Sequence, residues 1–139
     1  FYVSLEADSL MYRYDHDYNQ LACFGFAGRD MDLNYLRWDS YDQPWKERLA
    51  ERMSRGFYNA VEYVDETGLL FRSYRKGGGS ATDGLQVYRD GVLVGDVDVP
   101  LGFRMAGYVA PYYYSYVVPD EEGERLYMFR FKWPSAPEE

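Results

Sequence analysis

The sequence predicts an all-β chain of about three antiparallel meander sheets with one short helix near 44–55, and three observations carry that prediction. Between Phe57 and Pro100, four runs rich in aromatic and β-branched residues follow one another, separated by short polar segments. Asp90-Gly91 stands between two alternating apolar runs, the strongest short-range signal for a two-residue hairpin turn. Aromatic residues make up 19% of the chain and include 16 tyrosines. Tyrosine suits a pleated surface that keeps its polar tip in water, which favours sheets with one wet face.

The segment from Phe57 to Pro100 reads as four successive strands. Phe57–Val64 stops at Asp65-Glu66-Thr67-Gly68, which ends in the residue that tolerates positive φ. Leu69–Arg75 is the return strand, and Leu85–Arg89 and Val92–Val99 flank the Asp-Gly turn. Two hairpins in a row make one four-stranded antiparallel sheet, the size of a β-propeller blade.

Upstream, Phe1–Leu5, Ser9–Tyr14 and Leu21–Phe26 read as a three-stranded meander, broken at Glu6-Ala7-Asp8 and at Asp15-His16-Asp17-Tyr18-Asn19. In the second of these strands Leu10, Tyr12 and Tyr14 share one face, with Met11 and Arg13 on the other. Gly25 to Ser40 has no clear period and reads as a loop. Pro44–Arg55 then carries proline at the first helical position, Trp45, Leu49 and Met53 at four-residue intervals, and a Glu51–Arg55 pair at i,i+4. Gly56 is placed to cap the helix, which is expected to cover a sheet edge or fill a connection.

Downstream, Gly102–Ala110, Tyr112–Val118 and Arg125–Trp133 can form three strands, with Pro111 marking an edge or a break. In the last, Tyr127, Phe129, Phe131 and Trp133 alternate with Leu126, Met128, Arg130 and Lys132. The chain 1–139 is thus expected to be a single partial β-propeller, with blade-like units at about 1–28, 57–100 and 102–133 and a helical connection at 29–56. Three blades leave two open edges, to be closed by a second copy meeting head to tail or covered by the helix and loops. Because the chain opens on Phe1 inside an expected strand, it reads as an excised or processed piece of something longer.

Charge and composition exclude several functions. The 15 basic and 23 acidic residues give a formal net charge of -8, which repels phosphate backbones and anionic lipid heads, so nucleic acid is not an expected partner. No run approaches the ~18 apolar residues of a membrane span. The single cysteine, Cys23, has no internal disulfide partner.

Asp15, Asp17 and Asn19 have the alternate spacing of a calcium loop, but Gln20 and Phe26 stand where that loop needs glycine and glutamate, so a plain turn is the reading. His16, the only histidine, lies in that polar turn, and no nucleophile–base constellation accompanies it. No catalytic residue, metal site or cofactor is assigned. The candidate ligand-binding residues are Tyr112, Tyr114 and Tyr116, together with Arg72 and Arg29. Flat tyrosine faces can stack on sugar rings, whereas blade-to-blade packing is the competing role for the same stripe. Tyr113 faces away from it. Arg72 and Arg75 differ by an odd number of positions and so point to opposite faces.

The succession YRYDHDYNQLACFGFAGRDM, LLFRSYRKG, LQVYRDGVLVGDVDVP and PYYYSYVVPDEEGERLYMFRFKW resembles the C-terminal half of the TolB-like six-bladed β-propeller proteins of Bacteroidetes. That resemblance implies an envelope protein of the lipoprotein type, located in the periplasm or at the cell surface, and supplies no catalytic residue. The chain departs from it in carrying about half a ring and in Gly77-Gly78-Gly79-Ser80. The expected function is a non-catalytic binding or scaffold module recognising a glycan or peptide. The alternative is part of a hydrolase whose site is completed by missing blades.

Overall fold

A computed structural model describes residues 1–36, 42, 44–120 and 122–135. A first sheet is built from β1 (Tyr2–Ser4), β2 (Met11–Tyr14) and β3 (Gln20–Phe24), paired in chain order. After α1 (Trp45–Met53) comes the central sheet, β4 (Phe57–Val64), β5 (Leu69–Arg75), β6 (Asp83–Arg89) and β7 (Val92–Val99), again in chain order. The third sheet contains β8 (Met105–Val109), β9 (Tyr112–Ser115) and, beyond the small ladder of β10 (Val118–Pro119) and β11 (Leu126–Tyr127), the returning β12 (Arg130–Phe131). Every pairing is antiparallel, and the sheets do not close into a barrel.

The turns form as their residues dictate. Asp90 and Gly91 have φ of 50° and 77°, the positive pair that a hairpin turn matched to strand twist requires. Gly68 takes φ 67° at the end of the turn between β4 and β5.

The central sheet departs from the expected single wet face, because β5 and β6 are buried on both sides. Leu69, Phe71, Leu85 and Val87 meet Phe103, Met105 and Tyr113 of the third-sheet unit on one side. Leu70 and Tyr88 meet Met11 and Phe24 of the first sheet on the other. Among the described residues, the two three-stranded sheets therefore cover opposite faces of the central sheet. Ring contacts dominate the third-sheet side: Tyr113 lies 4.8 Å from Phe71, 5.4 Å from Phe131 and 4.6 Å from Tyr108.

The third strand expected across Arg125–Trp133 is interrupted. The step from Tyr114 to Val118 is one residue longer than the facing step from Tyr127 to Arg130, so the two ladders are out of register and a bulge separates β11 from β12. Phe129, Phe131 and Trp133 still pack on the core, whereas Tyr127, the first member of that alternating set, is exposed. Tyr112–Val118 splits at the same place.

The helix lies in the connection between the first and central sheets, the second of its two expected roles. Its Glu51–Arg55 pair forms at 2.8 Å, but the helix has no buried residue: Trp45 and Leu49 stay exposed beside an open cleft of about 610 Å³, and Met53 is exposed as well. It is held by its C-terminal end. Arg55 pairs with Asp32 at 2.9 Å, Arg52 pairs with Glu6, and the Gly78 N–H donates to the Ser54 carbonyl. Ser54, and not Gly56, is the capping residue. Gly77 has φ +71°, and a Cβ there would stand 2.3 Å from the Arg55 carbonyl carbon, so the glycine run fits tightly against the helix exit.

Truncating Phe71 removes the ring on which the third sheet rests. Phe71→Ala is expected to lose about 3–5 kcal/mol, and Val109→Ala on the exposed side of β8 less than about 0.5 kcal/mol, both read from urea unfolding midpoints.

Candidate functional site

Between the first and central sheets runs a buried polar seam. Strand alternation places Arg72 between Leu70 and Tyr74, facing the first sheet, where its side chain is fully buried. The guanidinium lies 3.3 Å from the centre of the Tyr58 ring. Its Nε donates to Ser4 Oγ at 3.0 Å, Nη1 to the Ser9 carbonyl at 2.7 Å, and Nη2 to the Asp8 carbonyl. Arg72 is thus satisfied by the turn that joins β1 to β2 and offers no donor to a ligand. Arg75, as alternation requires, sits on the other side, near the Phe57 ring.

Three tyrosines strap the loop after β3 along the same seam. The Tyr58 hydroxyl accepts from Gly28 N–H and donates to the Phe26 carbonyl, each at 3.3 Å. Tyr88 accepts from Phe26 N–H and donates to Gln86 Oε1, while Gln86 Nε2 donates to the Phe26 carbonyl at 2.9 Å. Tyr74 donates to the Asp96 carboxylate, and Gly84 opposite it leaves room for the ring, since a Cβ there would fall 1.9 Å from Tyr74 Cζ. Burial pushes all three phenols upward in pKa, Tyr74 furthest because the hydrogen bond to Asp96 adds to desolvation.

Arg29 ends the strap on the surface, half exposed. It pairs with Asp98 at 3.0 Å, and Lys76 reaches the same carboxylate at 2.6 Å. Lys76 first and Arg29 second hold the Asp98 carboxyl below its usual range. Arg29 therefore pairs with Asp98, not with its neighbour Asp30.

The tyrosine stripe is arranged differently from the expectation. Tyr113 supplies the inter-sheet packing, while Tyr112 and Tyr114 lie on the outer face of the third sheet with rings 6.5 Å apart. β12 pairs with β9 so that Arg130 stands opposite Tyr114 and Phe131 opposite Tyr113. Arg130 and Lys132 consequently share the outer face, both over the Tyr112 ring, at 4.4 Å and 5.3 Å from its centre. On the other side of β9, Gly107 pairs with Tyr114 and Val109 with Tyr112. A Cβ on Gly107 would meet nothing within 4 Å, so open space adjoins Tyr114. Tyr116 leaves the stripe at the bulge: its N–H donates to the Arg104 carbonyl, and the Arg104 guanidinium lies 5.0 Å from its ring.

Elsewhere, the Asp15 carboxylate accepts from the Asp17 and Asn19 N–H groups, each at 2.9 Å, and closes the turn that contains His16. Among the described residues, no group of three or more His, Cys, Asp or Glu is placed to hold a metal ion, and no helix is long and apolar enough to cross a membrane.

No family model, curated protein or solved structure matches this chain. The propeller resemblance therefore rests on the sequence phrases that carry it.

Of the five residues singled out from sequence, the outer face brings together Tyr112 and Tyr114. Tyr116 is displaced, Arg72 is sealed inside and Arg29 lies on the Asp98 cluster. Arg130 and Lys132 were missed as site residues. Their shared parity in the alternating run was the available signal, but its value depended on knowing that β12 pairs with β9.

Arg72→Met is expected to destabilise the fold by at least about 1–3 kcal/mol, the cost of leaving one buried acceptor without a donor; denaturant unfolding measures it. The seam also sets an alkaline limit. A phenol whose pKa rises on folding binds its proton more tightly in the native state, so its contribution is complete below the unfolded value near 10 and is lost as pH rises beyond it. Stability measured in urea should accordingly fall from about pH 10 upward, less steeply in Tyr74→Phe.

Proposed function

We propose that this chain is a non-catalytic binding module that holds a glycan or peptide on the outer face of the third sheet. The observation that carries this reading is the Tyr112 ring with Arg130 and Lys132 over it and the Tyr114 ring beside it, all directed away from the core. Two rings on adjacent positions of one strand face are pre-ordered, so a partner that stacks on them meets little further loss of side-chain freedom. The three-sheet stack supports the site from behind through Tyr113, which holds β9 against Phe71.

The propeller resemblance adds the setting: a module of an envelope protein, in the periplasm or at the cell surface, whose neighbouring sheets or second copy share the scaffold. Arg29 and Arg72 serve that scaffold and not the ligand, because each already has its partners within the chain.

Titration of the protein against a panel of oligosaccharides and short peptides, followed by tyrosine ring resonances, tests the reading. Saturable binding without turnover is expected, weakened between about twofold and tenfold by Tyr114→Ala with the thermal midpoint unchanged. Binding that leaves the Tyr112 and Tyr114 rings unperturbed would count against this face.

A further inference from the structure

The proposed binding face has an electrostatic character opposite to that of the chain as a whole. The protein carries a formal net charge of -8, yet the side chains over the Tyr112 ring of this patch are Arg130 and Lys132, and Arg104 stands over the displaced Tyr116. Among the described residues none of the three forms an ion pair, although Arg29, Arg52, Arg55 and Lys76 all do. All three cations are solvent-exposed and rest on tyrosine rings instead. A guanidinium and an ammonium held on one ring without a carboxylate partner form a preset receptor for an anion, with the planar fork of arginine suited to two-point contact with a carboxylate.

The apolar part of the patch narrows the class further. Tyr114 has open space beside it at Gly107, room for a flat ring to lie on the sheet. Of the two edge strands of this sheet, β12, the one that carries Arg130 and lies beside Lys132, is two residues long, too short for an extended peptide to add there as a strand through main-chain hydrogen bonds. A ligand must therefore be held by its faces and its charge, as a sugar ring bearing an acid group can be.

We propose that the outer face of the third sheet binds a carboxylate-bearing saccharide, with Tyr114 taking a sugar ring and Arg130 and Lys132 taking its acid group. This rests on the binding reading above and specifies its ligand.

The experiment uses the whole chain and three probes: trigalacturonate, the neutral galactose trisaccharide of the same linkage, and a short polyglutamate peptide. Affinity is measured by calorimetry and location by tyrosine ring resonances, at low and raised salt. Trigalacturonate is expected to saturate and to shift Tyr112 and Tyr114, with the neutral sugar bound about tenfold more weakly or worse. R130Q/K132Q, at two exposed positions, should remove most of that preference for the acid while leaving circular dichroism unchanged. Equal binding of neutral and acidic sugars at these rings would overturn the acid assignment and keep the binding reading, and so would tighter binding of polyglutamate. A ring shift that appears only with protein concentration, accompanied by a dimer in light scattering, would assign the face to a second copy and overturn the saccharide. If no probe moves the tyrosine rings and the protein stays monomeric, this inference and the binding reading both fail.

Discussion

The structure depends on two central strands, β5 and β6, that have no solvated face. Once β5 and β6 are covered on both sides, every polar side chain they carry must find a partner within the protein. Arg72 shows how strict the requirement is. Its cation is surrounded by backbone carbonyls, a serine hydroxyl and an aromatic face, so the turn between β1 and β2 must stand where those acceptors meet it. The two covers are consequently attached in different ways. The third sheet adheres through interlocked rings, which tolerate small shifts, whereas the first is registered by directional bonds from Arg72, Tyr58, Gln86 and Tyr88.

Much of the strand order was legible because its signals are local. Asp90-Gly91 and Gly68 announce turns through the backbone conformations they permit, and the four central strands follow from what lies between them. The burial of both faces was not legible from alternation. LLFRSYR contains Arg72, a candidate ligand contact on sequence grounds, and only a partner remote in sequence makes it an interior residue. The break in the last strand was hidden for a related reason. A bulge is a mismatch between two strands, and Leu126–Trp133 alone keeps an unbroken period of two.

The candidate site illustrates the same limit in reverse. A stripe of alternate tyrosines was visible, but which side of the strand met the core was decided by Tyr113 stacking against Phe71 and Phe131. With that face committed inward, Tyr112 and Tyr114 had to turn outward, and β12 then brought Arg130 and Lys132 alongside them. Helix α1 makes a parallel case. Its apolar spacing is real, yet Trp45 and Leu49 border an open cleft and Met53 is exposed, because its attachment comes from charges at its C-terminal end and the fit of Gly77 against the chain.

The surplus of acid over the rest of the molecule bears on how such a face would work. An anionic partner is repelled by the net charge of the chain and attracted locally where Arg130 and Lys132 meet over the Tyr112 ring, so the field favours position there more than it raises total affinity. The cations already rest on rings, and an arriving carboxylate need not pull them from competing acids. Added salt screens the local attraction together with the general repulsion, and because the local contacts are shorter than the screening length of about 8–10 Å, the repulsion is weakened first. Such a site keeps its preference for position even as its long-range field fades, a property that follows from placing Arg130 and Lys132 on one tyrosine ring of an acidic chain.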